Sequence, residues 1–220
     1  HSANNAFRVF AAEGSLNPTM DLILNLVIIV IVLAVLFTVL IAPRTIGQAD
    51  LSQMEGYHYT HRGYHDGNIT IAENSLASFQ AAIDAGYGIE LDVHLMADGN
   101  LAIIHDSVLK RTAGVEGRIE ELTTDQLENI RLEGTDEKIP LFSQVLELYD
   151  GKAPLIVELK AERGNHAALA AAATAMLDSY DGVYCIESFD PRCILWLKKN
   201  RPEIIRGQLS QNFVKKNENL

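Results

Sequence analysis

From residue 57 onward, short apolar segments alternate with longer amphipathic ones, and this alternation constrains the fold more than any other feature of the chain. Apolar runs of strand length predict buried strands, and apolar residues at helical spacing predict the helices between them. The predicted strands cover residues 89–93, 101–105, 154–159, 183–188 and 204–209, and the predicted helices cover residues 75–85, 166–178 and 191–200. Such alternation predicts an α/β fold on a parallel sheet. Residues 114–131 form a polar excursion that is expected to lie at the surface.

A second constraint is the apolar run at residues 22–42, which only Asn25 and Thr38 interrupt. A helix of about 20 apolar residues crosses a bilayer, so residues 20–43 are predicted to form one transmembrane helix. A buried core helix is the first alternative, although core helices of this length usually keep a polar side. A cleavable signal peptide is the second, although its apolar region normally covers about 7–15 residues after a basic start. An uncleaved membrane anchor is therefore the favoured interpretation.

These patterns divide the chain into an N-terminal segment 1–19, a transmembrane helix 20–43, a linker 44–56 and a globular domain 57–220. The first residue is His1 and Met20 directly precedes the span, so residues 1–19 are interpreted as non-native or read-through sequence. Basic flanks set membrane orientation, and Arg44 is then the only one near the span, which weakly favours the cytoplasmic side for the globular domain. If residues 1–19 are native, Arg8 before the span balances Arg44 after it, and the side of the membrane on which the globular domain lies is not determined.

The balance of charges excludes one class of partner. The chain carries 29 acidic and 18 basic residues, a formal net charge of −11. Binding to a nucleic-acid backbone requires a dense basic face, so no nucleic-acid partner is expected. A small phosphate ester needs only local positive charge and remains compatible with this composition. The two cysteines, Cys185 and Cys193, are too few for a disulfide framework and are interpreted as packing residues.

Three acidic residues are predicted to point the same way from two strands. Glu90 and Asp92 are two residues apart on one strand and therefore share a face, while Glu158 stands in an otherwise apolar strand. Adjacent carboxylates repel and a buried unpaired charge is costly, so a cation is expected between them. A salt bridge to Lys160 without a catalytic duty is an equally good interpretation of Glu158 alone. The three carboxylates together favour Mg²⁺ or Ca²⁺ over zinc, whose ligand-spaced Cys/His set is missing from the sequence.

Two histidines and an arginine complete the set of reactive groups. His61 and His105 each follow a predicted strand, and imidazoles transfer protons near neutral pH. Arg62 offers a fork of donors suited to phosphate oxygens. The ordinary alternatives are a structural hydrogen bond for each histidine and a salt bridge for Arg62; the neighbouring Asp106 makes the structural role less favoured for His105. Gly63 is a turn residue, either at the mouth of the site or without further role. The combination predicts metal-assisted cleavage of a phosphodiester.

Other polar residues receive a structural interpretation at this point. Glu73, Asn74 and Ser75 precede the first predicted helix; capping is the ordinary interpretation of this segment, and it is accepted for Ser75. His58, His65, His94 and His166 are assigned no role.

Eight short motifs occur in a defined order along the chain. They are His61-Arg62-Gly63, Glu73-Asn74-Ser75-Leu76-Ala77-Ser78-Phe79, Glu90-Leu91-Asp92-Val93, Asp98-Gly99, Ile104-His105-Asp106, Leu109-Lys110-Arg111-Thr112, Val157-Glu158-Leu159-Lys160 and Arg206-Gly207-Gln208-Leu209. In these motifs the segment 57–220 resembles glycerophosphodiester phosphodiesterases. The resemblance implies a TIM (β/α)8 barrel that cleaves glycerophosphodiesters to an alcohol and sn-glycerol 3-phosphate.

The resemblance also implies a role for each reactive residue. His61 and His105 would form the general acid–base pair. Glu90, Asp92 and Glu158 would bind a divalent cation, Mg²⁺ or Ca²⁺. The substrate phosphate would be held by Arg62 and Lys160. A membrane-anchored enzyme of this kind would act on a small glycerophosphodiester.

Several expectations remain open at the level of sequence. A complete barrel takes roughly 250 residues, and about six strands are predicted here, so the last one or two βα units are expected to be missing. Such a segment alone is expected to be poorly soluble and weakly active, because strand edges and apolar surface would be exposed. The alternative activities are those of a lysophospholipase D acting on lysolipids or of a phosphodiesterase acting on surface polymers. A catalytically inactive, membrane-tethered binding domain is a third alternative, against which the complete carboxylate and histidine set argues.

Overall fold

The structure, a computed structural model, describes residues 18–41, 50–132 and 134–211. The chain divides into two compact units, His1–Ala49 and Asp50–Leu220. The described residues of the first unit form a helix, α1, which spans Pro18–Ile41. Its segment Thr19–Thr38 has a mean hydropathy of 3.0 and is long and apolar enough to cross a membrane. Membrane spans and signal sequences both have these properties. Residues 1–17 of the predicted N-terminal segment and residues 44–49 of the predicted linker lie outside the described residues, and so do Arg8 and Arg44.

The second unit is built on one six-stranded sheet in which helices alternate with strands. The strands are β1 (Tyr59–His61), β2 (Gly88–Leu95), β3 (Leu101–Ile103), β4 (Leu155–Leu159), β5 (Tyr184–Ser188) and β6 (Arg206–Gln208). The helices are α2 (Leu76–Asp84), α3 (Lys110–Ala113), α4 (Thr124–Leu127), α5 (Phe142–Tyr149), α6 (His166–Leu177) and α7 (Pro191–Asn200), with a 3₁₀ turn at Ile119–Glu121. The strand order is β1-β2-β4-β5-β6, and all four pairings along this path are parallel.

The parallel strands follow one another in sequence order, which is the arrangement of a (β/α)8 barrel. β3 is the exception, because it pairs antiparallel with the second half of β2, with Val93 opposite Ile103. Asp98 and Gly99 lie in the turn between these two strands. The described residues therefore contain five of the eight parallel strands of a barrel, whereas the sequence-based count of about six included β3.

The excursion between β3 and α5 differs from the prediction. The stretch 114–131 was expected at the surface, yet Ile119 and Leu127 are buried. Both belong to a second apolar cluster, which also contains Ile104 of the segment after β3 and Leu109. Apolar side chains spaced along an otherwise polar segment anchor it to this cluster. The prediction of a surface excursion was therefore wrong for Ile119 and Leu127.

The sheet separates an apolar face from a polar one. Ile89, Leu91 and Val93 of β2 are fully buried and belong to the main core, together with Phe79 of α2 and Phe142 of α5. Because side chains alternate along a strand, the residues between them face the opposite side. The functional groups of β2 therefore lie on the face away from the helices, where the interior of a barrel would be.

Candidate active site

Three buried carboxylates meet where β2 and β4 run side by side. The parallel register places Asp92 opposite Glu158, and Glu90 precedes Asp92 on the same face of β2. Each of the three offers a carboxylate oxygen, and these oxygens lie within 4.8 Å of one another. Asp92 is fully buried and the other two are nearly so. The predicted convergence of Glu90, Asp92 and Glu158 from two separated strands is therefore present in the structure.

Two cations and one amide contact these carboxylates. Lys160 Nζ lies 2.9 Å from Asp92 Oδ1 and 2.7 Å from Glu158 Oε1. Arg62 Nε lies 3.4 Å from Asp92 Oδ2, and the Arg62 backbone N–H donates to Glu90 Oε2 at 3.1 Å. The side-chain amide of Asn74 donates to Asp92 Oδ2 at 2.8 Å. Asp92 is thus the centre of the cluster, and the positive groups surround it.

The three carboxyl groups differ in how easily they ionise. Burial, followed by the charge of Asp92, raises the pKa of Glu90 to about 8. Burial also raises the pKa of Glu158, against the opposing effect of Lys160. Burial alone would raise the pKa of Asp92 as well, but Lys160 and the Asn74 amide hold it below its ordinary value. The two neighbouring cations, Lys160 and Arg62, do not fully compensate three carboxylates. The uncompensated negative charge shows in the raised pKa of Glu90.

The cluster fits a divalent cation by its donor set and by an unpartnered oxygen. Among the described residues, Glu90 Oε1 is buried and has no hydrogen-bond partner, and the same holds for Asn74 Oδ1. Buried polar oxygens ordinarily have a hydrogen-bond partner or another ligand. The two unpartnered oxygens therefore indicate that a further group binds at the cluster. All the available donors are oxygens, which suits Mg²⁺ or Ca²⁺. Lys160 contacts two of the three carboxylates, so its ammonium would share them with the ion.

His61 stands at the end of β1 opposite Glu90. Its Nε2 lies 3.9 Å from Glu90 Oε2, and the side chain is 70% exposed. Partial burial, followed by the charge of Arg62, lowers the pKa of this histidine. The charge of His105 contributes in the same direction.

His105 lies just after β3, and its ring is held by its sequence neighbour. Its Nδ1 is 2.6 Å from Asp106 Oδ1, which leaves Nε2 as the nitrogen available for proton transfer. Burial lowers the pKa of His105 against the opposing effect of Asp106. A second histidine supports the backbone: His94 Nε2 lies 3.2 Å from the His105 carbonyl oxygen, and its Nδ1 lies 2.7 Å from Glu120 Oε1. His94 therefore fixes the position of His105, a role that the sequence did not reveal.

An open cleft of about 650 Å³ adjoins these groups. Its lining includes His105 and four cationic side chains, those of Lys110, Arg111, Arg118 and Lys160. The ring of Phe189 lies 6.0 Å from Lys160 Nζ. In a net-acidic chain this is a local concentration of positive charge, and it suits an anionic ester.

Sequence reasoning missed several residues of the site. Glu73 and Asn74 received no role of their own from the sequence, but the side chain of Glu73 contacts Arg62 and Arg111, and that of Asn74 contacts Asp92. Only Ser75 acts as the cap, accepting a hydrogen bond from the Ser78 backbone. The sequence signal for Glu73 and Asn74 was their position in a motif that resembles one of the glycerophosphodiester phosphodiesterase family.

Gly63 is required by the close approach of α2 to the turn after β1. Its φ is +84°, and an added Cβ would lie 2.2 Å from Ser78 Oγ and 2.7 Å from Ser78 Cβ. We expect Gly63→Ala to lower the free energy of unfolding by at least about 2 kcal/mol, because left-handed strain and steric overlap add. Gly99→Ala is the control, since Gly99 has a φ of +86° but nothing within 4 Å of the added Cβ. Urea unfolding should show a clearly smaller loss for Gly99→Ala; equal losses would contradict the steric argument.

Fold and site together define a parallel β/α barrel fold that carries a carboxylate–histidine cluster at the carboxyl ends of its strands, the end where barrel enzymes bind substrate. The sequence model described as the glycerophosphoryl diester phosphodiesterase family matches residues 61–219, and the chain belongs to this family.

Individual relatives and solved structures agree with this assignment. A glycerophosphodiester phosphodiesterase of Bacillus altitudinis is 35% identical over 109 residues, which are 46% of this chain and 43% of the relative. Lysophospholipase D GDPD1 of Rattus norvegicus is 30% identical over 137 residues, 56% of this chain and 42% of the relative. A phosphodiesterase of Oleispira antarctica, solved with the product sn-glycerol-3-phosphate, superimposes with a TM-score of 0.63 at 29% identity, covering 69% of this chain and 65% of the other. The matches thus span less than half the length of the two curated relatives.

Proposed function

We propose that the protein hydrolyses glycerophosphodiesters to an alcohol and sn-glycerol 3-phosphate in a divalent-cation-dependent reaction, with residues 57–220 as its catalytic domain. The observation that carries this proposal is the meeting of Glu90, Asp92 and Glu158 beside Lys160. His61 Nε2 lies 3.9 Å from Glu90 Oε2, and His105 lines the same cleft as Lys160. The product-bound structure from Oleispira antarctica supports the same substrate class.

Arg62 and Lys160 are the groups that bind and orient the substrate phosphate. Their side chains are only 17% and 15% exposed, so they are largely fixed before substrate arrives. Each is held by an acidic partner, Arg62 by Glu73 and Lys160 by Glu158. Preorganised donors of this kind stabilise the charge that develops on phosphoryl oxygens without reorganising during the reaction.

The two histidines carry the proton transfers. One imidazole takes the proton of the attacking hydroxyl, and the other gives a proton to the leaving alkoxide oxygen. The pKa of both His61 and His105 is lowered, first by burial, which keeps an imidazole neutral and able to accept a proton near neutral pH. Asp106 orients the ring of His105 through Nδ1, so its Nε2 is the atom that exchanges the proton.

The cation would be held by Glu90, Asp92 and Glu158. When bound, it supplies Lewis-acid polarisation of the phosphoryl oxygen and orientation of the nucleophile. Asn74 keeps Asp92 Oδ2 in a fixed direction through its 2.8 Å hydrogen bond.

Release of sn-glycerol 3-phosphate from a panel of glycerophosphodiesters, measured with the full-length protein, tests this proposal. We expect release from several of them, at rates that depend on the alcohol group. Retained binding of these compounds without any release would instead support an inactive binding domain.

Lysolipids are a second candidate substrate class, favoured by the similarity to lysophospholipase D GDPD1. A phosphodiester next to a single acyl chain presents the same reacting group as a glycerophosphodiester. Comparing rates on glycerophosphocholine and lysophosphatidylcholine separates the two classes: a higher rate on the lysolipid would identify this second activity.

We further propose that α1 anchors the protein in a membrane. The segment Thr19–Thr38 is sufficiently long and apolar for one span. Retention in the membrane fraction after alkaline extraction, and loss of retention on deleting residues 19–38, is the expected result. Protease accessibility from the cytoplasm then tests the side that Arg44 weakly favours.

A further inference from the structure

We propose that Arg111 is a positioning residue that holds His105 and Arg62 in a fixed relative position through a continuous chain of ion pairs. This inference rests on the proposed function of the same site. Arg111 contacts neither Glu90, Asp92 nor Glu158 in the described structure, and it acts through two other carboxylates.

The chain of contacts runs from one reactive group to the other. His105 Nδ1 lies 2.6 Å from Asp106 Oδ1, and Asp106 Oδ2 accepts a hydrogen bond from Arg111 Nε. Arg111 Nη2 then lies 2.8 Å from Glu73 Oε1, and the same oxygen lies 3.2 Å from Arg62 Nη1. Five side chains from three separate segments are thus linked without a gap.

The backbone does not provide this link by itself. Arg62 follows β1 and His105 follows β3, and within the described residues these two strands pair with β2 and not with each other. Arg111 lies on α3, a single helical turn, so its own position depends on its side-chain contacts as well as on the backbone. A side-chain connection between the segments that follow β1 and β3 therefore fixes their relative position, which strand pairing does not do directly.

The geometry at Arg111 requires an arginine. Its Nε and Nη2 contact two different carboxylates, one on each side of a planar fork. A lysine ammonium keeps the charge but lacks this rigid fork. Glu73 is 7% exposed, and Arg111 is one of only two cations that contact it in the described structure. Loss of Arg111 would leave Glu73 with Arg62 alone and would release Asp106 to move with His105.

Arg111 also lines the cleft, so a direct substrate contact is the competing explanation. A substrate contact predicts a higher KM that lysine partly restores. A positioning role predicts a lower kcat, because misplacement of a catalytic group by about 1 Å can cost about 10²-fold in rate.

The experiment compares Arg111→Met, Arg111→Gln and Arg111→Lys in the full-length protein, with Arg201→Met as the matched control. Arg201 also joins two carboxylates through Nε and Nη2, those of Glu203 and Asp178, but it follows α7 and is remote in sequence from the site. We expect kcat to fall about 10–100-fold in all three Arg111 variants and to stay unchanged in Arg201→Met. Combining Arg111→Met with Asp106→Asn should cost little more than the worse single variant, since both interrupt one chain.

A second measurement does not depend on hydrolysis. In ¹⁵N-histidine NMR spectra, wild-type His105 should carry its proton on Nδ1, and Arg111→Met should shift the ring toward a mixture of tautomers while Arg201→Met does not. If the wild-type protein hydrolyses no diester, the proposed function fails, and this spectrum still tests Arg111. Unchanged His105 ring signals in Arg111→Met, a KM effect restored by lysine, or fully multiplicative effects of Arg111→Met and Asp106→Asn would each overturn the positioning role.

Discussion

Replacing His105 with alanine is expected to lower kcat for glycerophosphodiesters by about 10²–10⁴-fold, the range that a general acid or base contributes. Asp106 contacts Nδ1 of the His105 ring, and His94 contacts the backbone carbonyl oxygen of His105. Removing the ring therefore removes a proton-transfer group that is held in a fixed position. Steady-state kinetics of the purified full-length protein measures the effect.

His58→Ala is the control for this experiment. His58 precedes β1, is exposed, and meets the edge of the Tyr87 ring at 6.0 Å rather than any group of the site. It should keep near-wild-type turnover. A His105→Ala protein that turns over at the wild-type rate, with an unchanged unfolding midpoint, would remove His105 from the mechanism.

Asp92→Asn is expected to have the second large effect, a loss of about 10³-fold in turnover. Lewis-acid stabilisation is worth several kcal/mol, and roughly 4 kcal/mol corresponds to that factor. The substitution keeps the shape of the side chain but removes the central charge of the cluster. Lys160 keeps Glu158 as a partner and Arg62 keeps Glu73, so no cation is left unpaired and the fold should persist. Calorimetric titration with Mg²⁺ and Ca²⁺ should show the matching loss of affinity.

Glu187→Gln provides a matched control for Asp92→Asn. Glu187 lies on β5 directly opposite Glu158, and burial raises its pKa, yet its carboxylate is not part of the three-residue cluster. It should bind the cation with close to wild-type affinity. Equal loss of affinity in both variants would show that Glu187 also belongs to the cation-binding cluster.

Strand periodicity explains why the acidic cluster could be predicted from the sequence. Residues two apart on a strand share a face, and parallel neighbouring strands bring their carboxyl ends to one edge. Those two rules were sufficient to predict from the sequence that Glu90, Asp92 and Glu158 meet. His61, Arg62 and His105 were predicted from their positions after strands, whereas the phosphate-binding role of Lys160 came from the family resemblance.

Residues in loops could not be placed in the same way. Glu73 and Asn74 reach the site because of the path of the loop after β1, and Arg111 because of the position of the single-turn helix α3; neither a loop path nor one helical turn carries a periodic signal. Capping explained Ser75 alone, so Glu73 and Asn74 had no role predicted from the sequence, and their contacts are tertiary. β3 was counted with the parallel strands because strand–helix alternation does not distinguish a hairpin partner from a barrel strand.

Among the helices that the sequence did not predict, α5 has a clear sequence signal. α5 carries Phe142, Val145, Leu146 and Tyr149 on its buried side, which is the i, i+3, i+4, i+7 spacing of an amphipathic helix. Its eight residues make a short pattern, and the preceding polar excursion obscured its beginning. The excursion itself shows the opposite error, since a polar composition concealed the buried positions of Ile119 and Leu127.

The most direct test of the central claim is diester hydrolysis by the full-length protein after removal of divalent ions with EDTA and stepwise return of Mg²⁺ or Ca²⁺. If acidic side chains from β2 and β4 hold an ion beside two imidazoles, release of sn-glycerol 3-phosphate should stop on chelation and return with one of the two ions. The same titration should fail to restore Asp92→Asn. Hydrolysis that continues at the full rate in excess EDTA would contradict the account.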